Sequence, residues 1–167
     1  MWQAISTPEF LDMVKTCAGW AIAFLVVWGI TMVAGLHSNM PLKTKERLDH
    51  LRKLAMDLAD QYGEGKEAPD AEVVVKTLRL IMKRQRNASK LLDVYLYDHG
   101  ESTEITSAKA KLGKINTYCR HAVSALSGKK PEGVRNQAVL IEKAAKEAQD
   151  LLDIVIAKNE QEKLMKI

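Results

Sequence analysis

The chain has 167 residues, 25 of them Lys or Arg and 21 Asp or Glu, for a net charge of +4. That length holds one domain of ordinary size beside a short extra segment, and two cysteines, Cys17 and Cys119, exclude a disulfide scaffold. Aromatic residues make up only 5%, with 9 Gly and 4 Pro, so the composition favours helices over sheets.

Thr7-Pro8-Glu9 has the pattern of a helix start: a capping hydroxyl, a proline in the first turn and an acid that suits the helix dipole. The uncharged run from Thr16 to Leu36 follows, bracketed by Lys15 and His37. At about 1.5 Å per residue it spans about 31 Å, the thickness of a bilayer's hydrocarbon core. The expectation is an N-terminal transmembrane helix within residues 1–37, ending before Pro41. A cleaved leader fits poorly, because Glu9 and Asp12 precede the first basic residue and the apolar run is too long. Lys43, Lys45, Arg47, Arg52 and Lys53 follow the run, against Lys15 alone before it. The positive-inside rule then predicts a single-pass cell-membrane protein with its N-terminus outside and its C-terminal domain cytoplasmic. The inverted topology, with an exported domain, is the alternative. Gly19 with Ala23, and Thr31 with Gly35, form small-xxx-small pairs that permit self-association in the membrane.

Residues 38–167 read as four helices. The first, about 41–62, carries Leu48, Leu51, Leu54, Ala55 and Leu58 on one face and stops at Gly63 and Gly65. The second, about 70–97, places Val74, Leu78, Ile81, Gln85, Ala88, Leu92 and Tyr95 at alternating steps of four and three. The third, about 102–127, repeats this with Ile105, Ala108, Leu112, Ile115, Cys119, Ala122 and Leu126. The fourth, about 131–158, does so with Val134, Ala138, Ile141, Ala145, Ala148, Leu152 and Val155, and turns polar from Lys158 onward. Short connections imply antiparallel neighbours, so the predicted fold class is all-α: a transmembrane helix followed by a four-helix bundle. One seam serving as an oligomer interface is the alternative.

Charge is uneven. Residues 76–130 carry twelve basic and four acidic side chains, net +8, while every other segment is mildly acidic. On the second helix Lys76, Arg79, Lys83, Arg86 and Lys90 step by three and four, with Arg84 beside them and no acid between Glu72 and Asp93. The stripe lies about 200° around the helix from the apolar seam and is about 21 Å long. Like charges at these spacings cost about 0.2–0.5 kcal/mol per pair in an isolated helix. A solvated face is the plain explanation. Acids from a neighbour, such as Asp57, Asp60, Asp150 or Asp153, are another. The functional explanation is an anionic ligand: nucleic acid, a nucleotide or lipid headgroups. Lys109, Lys111, Lys114 and Arg120 on the third helix would widen that patch, and Tyr95, Tyr97, Tyr118, His99 and His121 are candidates for stacking a base. Lys43, Lys45 and Arg47 read as topology determinants that touch anionic lipid.

No catalytic constellation appears. Gly63-Glu64-Gly65-Lys66 lacks the spacing, the hydroxyl residue and the strand of a phosphate loop. Cys119 and His121 splay apart on a helix, so neither a metal nor a cofactor is expected. Asn87-Ala88-Ser89 matches a glycosylation sequon by chance, mid-helix in a basic stretch.

The layout of an uncharged run from Thr16 to Leu36 and a basic domain centred on Lys76 to Lys90 resembles small membrane effectors of prokaryotic antiviral defence, those of type III CRISPR systems. The resemblance is one of layout across the whole chain, without a diagnostic motif, and no family residue is carried over. It implies a cytosolic domain that binds a cyclic oligonucleotide such as cyclic oligoadenylate, and action at the membrane as a homo-oligomer. A membrane-anchored adaptor docking an acidic protein in secretion, division or viral assembly is the rival expectation.

Overall fold

Four long helices account for the second of the two units into which the chain divides, Met1–Ser38 and Asn39–Ile167. The computed structural model describes residues 20–22, 24–26, 39–63 and 66–165, and these form helices, turns and loops with no strand. Within the first unit, residues 20–22 and 24–26 are helical, with Trp20, Ile22, Phe24, Leu25 and Val26 exposed. The remainder of the expected span, including its start at Thr7-Pro8, lies outside the described residues. Among the described residues, no helix is long and apolar enough to cross a membrane.

In the second unit, α1 is Met40–Gln61, α2 Ala71–His99, α3 Thr103–Ser127 and α4 Pro131–Met165. Local chemistry sets the ends. Asp70 caps α2 by accepting the Glu72 amide, and the Ser102 hydroxyl caps α3 by accepting that of Ile105. Pro41 sits in the first turn of α1, where its missing N–H costs nothing. Gly100 closes α2 at φ 80, a left-handed conformation that a side chain disfavours.

Each helix packs on two others. α1 touches α2 and α4, and α3 touches α2 and α4. Cross-helix pairs give the directions: Lys45 meets Asp153, Asp93 meets Lys109, and Glu104 meets Lys158. Neighbours are therefore antiparallel, and short connections produce an up-down-up-down bundle. The seams face one core. All seven predicted positions of α2, from Val74 to Tyr95, are buried, as are the seven of α4 from Val134 to Val155. Replacing a buried Leu or Ile there by Ala removes about 2–5 kcal/mol.

The α3–α4 pair makes the broadest contact. Ala108, Ala122, Ala138, Ala144, Ala145 and Ala148 are buried and let the two backbones approach. Gly133 marks the tightest point, since a Cβ there would lie 2.8 Å from that of Ala125. Leu54 and Leu126 sit at the core edge, half-buried. The expected end of α4 near residue 158 is corrected: the helix runs to Met165. Lys158 pairs with Glu104 and Asn159 hydrogen-bonds the Tyr95 hydroxyl, so tertiary ties hold a stretch that has left the apolar seam. Good helix formers, Gln161 to Met165, carry it on.

Candidate functional site

The basic stripe of α2 is on the surface. Lys76, Arg79, Lys83, Arg86 and Lys90 are exposed, and none makes an ion pair or hydrogen bond among the described residues. The acids proposed to balance it are elsewhere. Asp153 pairs with Lys45, and Asp57, Asp60 and Asp150 pair with none of the stripe.

Arg84 differs from its neighbours on α2. It is half-buried on the flank facing α1, where Arg47, Leu80, Lys83, Arg84 and Asn87 line a groove of ≈ 270 Å³. Its Nε is buried without a hydrogen-bond partner, one of two such side-chain atoms among the described residues, with Gln137 Oε1 on α4. An unsatisfied buried donor costs about 1–3 kcal/mol. A shallower hollow of ≈ 460 Å³, lined by Lys76, Thr77, Arg79, Leu80 and Lys83, adjoins the groove through Leu80 and Lys83. No acid lines either hollow.

The groove gathers two planar guanidinium groups, an ammonium group and an amide. Arginine offers paired N–H donors that match two oxygens of one phosphate or carboxylate, and lysine adds a point charge. Asn87 contributes both a donor and an acceptor. The arrangement can hold an oxyanion. It offers no general base, nucleophile or metal ligand.

Arg86 and Lys90 line neither hollow, and the four predicted residues on α3 lie apart from both. Lys109 pairs with Asp93 across the α2–α3 contact. Lys111 bonds Glu147 of α4 at 2.5 Å, and with Lys114, Tyr118 and Lys143 lines a separate hollow of ≈ 180 Å³ between α3 and α4. The hydrogen bond from Lys111, then the charges of Lys111, Lys143 and Lys114, hold the Glu147 carboxyl below its ordinary range. That hollow therefore already contains its anion. Arg120 is exposed and lines neither groove. Charge that counted as one patch along the sequence is divided by the fold: the α2 stripe has no ion pair among the described residues, whereas Lys109 and Lys111 are paired with Asp93 and Glu147.

The proposed stacking residues also separate. Tyr95 is buried at 4% exposure, stacks on His99 with ring centroids 4.2 Å apart, and bonds Asn159. It is a core residue. Tyr118 packs against the core edge, whereas Tyr97, 91% exposed, and His121 face solvent. Burial pushes the Cys119 thiol up to about 12, so it is neither a nucleophile nor a ready ligand. Among the described residues no group of three His, Cys, Asp or Glu is placed to hold a metal ion.

Arg47 is a groove residue that sequence reasoning assigned elsewhere, to topology. The signal was in the register. Arg47 lies 14 residues before the last residue of α1 and Arg84 13 residues after the first of α2, so an antiparallel hairpin sets them opposite each other. Compared with known protein families, with curated proteins and with solved structures, the chain matches none.

Proposed function

We propose that this is a non-enzymatic, membrane-anchored binding protein whose helical domain captures a phosphate-bearing ligand in the α1–α2 groove. The observation that carries the reading is the buried, unpartnered Nε of Arg84 beside Arg47 and Lys83, in a groove without an acid. A ligand oxygen would supply the acceptor that the bundle does not, once the Arg84 side chain turns its solvent-sealed Nε toward the groove. The open hollow along Lys76 and Arg79 extends the contact to further phosphates, which favours a ligand with several. A nucleotide of more than one phosphate meets that requirement, and the layout favours a cyclic oligonucleotide. Cytoplasmic placement of the domain, N-terminus outside, follows from the Lys and Arg excess after the span.

Anchoring rests on the run from Thr16 to Leu36. Trp20, Ile22, Phe24, Leu25 and Val26 are each more than half exposed, so the described part of this run presents large apolar side chains on its surface. Lipid is the environment that suits such a surface. A single span without ionisable groups lines no pore, and action on the membrane requires a homo-oligomer.

A second reading is an adaptor that docks an acidic protein, favoured by the outward stripe from Lys76 to Lys90, whose five residues at helical spacing are all exposed. One panel separates the two. Full-length protein in neutral-lipid nanodiscs is titrated with cyclic oligoadenylate, a linear oligoribonucleotide and a poly-glutamate peptide. The phosphate reading expects saturable binding of a phosphate ligand, lost on reversing Arg47, Lys83 and Arg84 to Glu. Binding of poly-glutamate alone selects the adaptor, and binding of none removes the groove as a ligand site.

A further inference from the structure

The end of the bundle where α1 and α3 finish, opposite the end where the chain enters α1, holds a second concavity. It lies away from Arg47 and Arg84, between the α1–α2 connection and the start of α4. An open, mainly apolar chamber of ≈ 250 Å³ is walled by Tyr62, Pro69, Leu126, Pro131 and Val134, with Lys129 and Lys130 among its lining residues. A neighbouring, less open cleft of ≈ 310 Å³ shares Tyr62, Ala68 and Pro131 with the chamber. Lys66 and Arg135 line that cleft, with Glu132 as the acid opposing them.

The two compartments differ in chemistry. Side chains of Pro, Leu and Val dominate the chamber walls, while ammonium, guanidinium and amide groups line the cleft. None of Lys66, Lys129, Lys130 and Arg135 makes an ion pair or hydrogen bond through its side chain among the described residues. Tyr62 stands on the boundary, its phenol pushed upward by burial, with no side-chain hydrogen bond among the described residues. An apolar chamber opening onto a cationic cleft is complementary to a molecule with an apolar body and one anionic end.

We infer that this end of the bundle is a binding site for a small amphipathic carboxylate, its hydrocarbon body in the chamber and its carboxylate between Lys66 and Arg135. The body desolvates against Leu126, Pro131 and Val134, and the carboxylate pairs with the cleft cations. The site is independent of the phosphate groove and does not rest on that reading.

The test uses full-length protein in neutral-lipid nanodiscs, with empty nanodiscs as the blank, and isothermal titration of 4-phenylbutyrate and its neutral analogue 4-phenylbutyramide. The acid is expected to bind saturably, and the amide at least tenfold more weakly. Arg135→Glu, at an exposed position, should bring the acid down to the affinity of the amide and leave the amide unchanged. Ala68→Trp, also exposed, should block both probes. Arg84→Met should alter neither. Equal binding of acid and amide, survival of binding in Ala68→Trp, or no saturable binding above the blank overturns the proposal. Circular dichroism of each variant shows that the helices are intact.

Discussion

Arg52 and Arg84 occupy helix–helix grooves on opposite flanks of the α1 contact surface, and they have opposite fates. Arg52 faces α4. Its Nε and one terminal nitrogen bond Glu142, the other terminal nitrogen bonds Gln149, and Gln149 reaches Asp49 and the Lys45 carbonyl. Arg84 faces α1, with cations beside it and its Nε unpartnered. The same side chain is structural where the neighbouring helix supplies an acid and uncommitted where it supplies another arginine. α4 provides Glu142, Glu147 and Asp153 to three cations on its neighbours, whereas α2 has no acid between Glu72 and Asp93. The difference teaches that basic residues here are informative only after their partners are counted.

The largest expected effect breaks the uncommitted side. Reversing Arg47, Lys83 and Arg84 to Glu should weaken phosphate-ligand binding at least a hundredfold, since each charge-assisted contact contributes about 1.5–3 kcal/mol. The melting temperature should not fall, because none of the three stabilises the bundle through an ion pair. Titration and thermal melting of one preparation check both halves.

Breaking the committed side should do the converse. Arg52→Ala strands Glu142 and Gln149 at a partly buried interface and should cost about 1–2 kcal/mol of stability. Ligand affinity should be unchanged. Urea denaturation with a parallel titration measures the two quantities, and a loss of binding without a loss of stability would reverse the assignment.

A smaller effect sharpens the contrast. Arg84→Met keeps the side chain's apolar length but removes the buried donor, so unliganded stability should hold or rise by up to about 1 kcal/mol. A clear destabilisation in urea would show that Arg84 is already satisfied.

The smallest effect concerns the paired surface and pH. The Lys158 hydrogen bond, followed by bonds from its own amide and from Ser102, lowers the Glu104 carboxyl to about 2. Its folded pKa lies below the unfolded value of about 4.3. The contribution is therefore complete above about pH 4.3 and is lost as pH falls towards 2. Glu104→Gln should flatten the acid limb of stability over that window. An unchanged slope in acid denaturation curves would mean that the pair contributes nothing.

The helical architecture was legible because periodicity reports burial. Val74 through Tyr95 alternate steps of four and three, and every one of them is buried. The expected helix starts near residues 70 and 102 fall at Asp70 and Ser102, which cap α2 and α3. Residues 159–165 were not, because long-range ties from Asn159 and Lys158 extend α4 past its seam. The site was half legible. The α2 stripe follows from spacing on one helix, but partners on other helices decide which cations are committed. Lys109 and Lys111 were counted with the stripe until Asp93 and Glu147 claimed them. Arg47 was set aside until the antiparallel register brought it to Arg84.

The central claim is that the α1–α2 groove receives a phosphate group through Arg84. Its most direct test is fluorescence titration of full-length protein in neutral-lipid nanodiscs with labelled cyclic oligoadenylate, comparing the wild type with Arg84→Met at about 50 mM and 200 mM salt. Wild-type binding should be saturable, weaken with salt and fall at least tenfold in Arg84→Met, with an intact melting curve. Equal affinity in the two proteins, or no binding at either salt concentration, would contradict it.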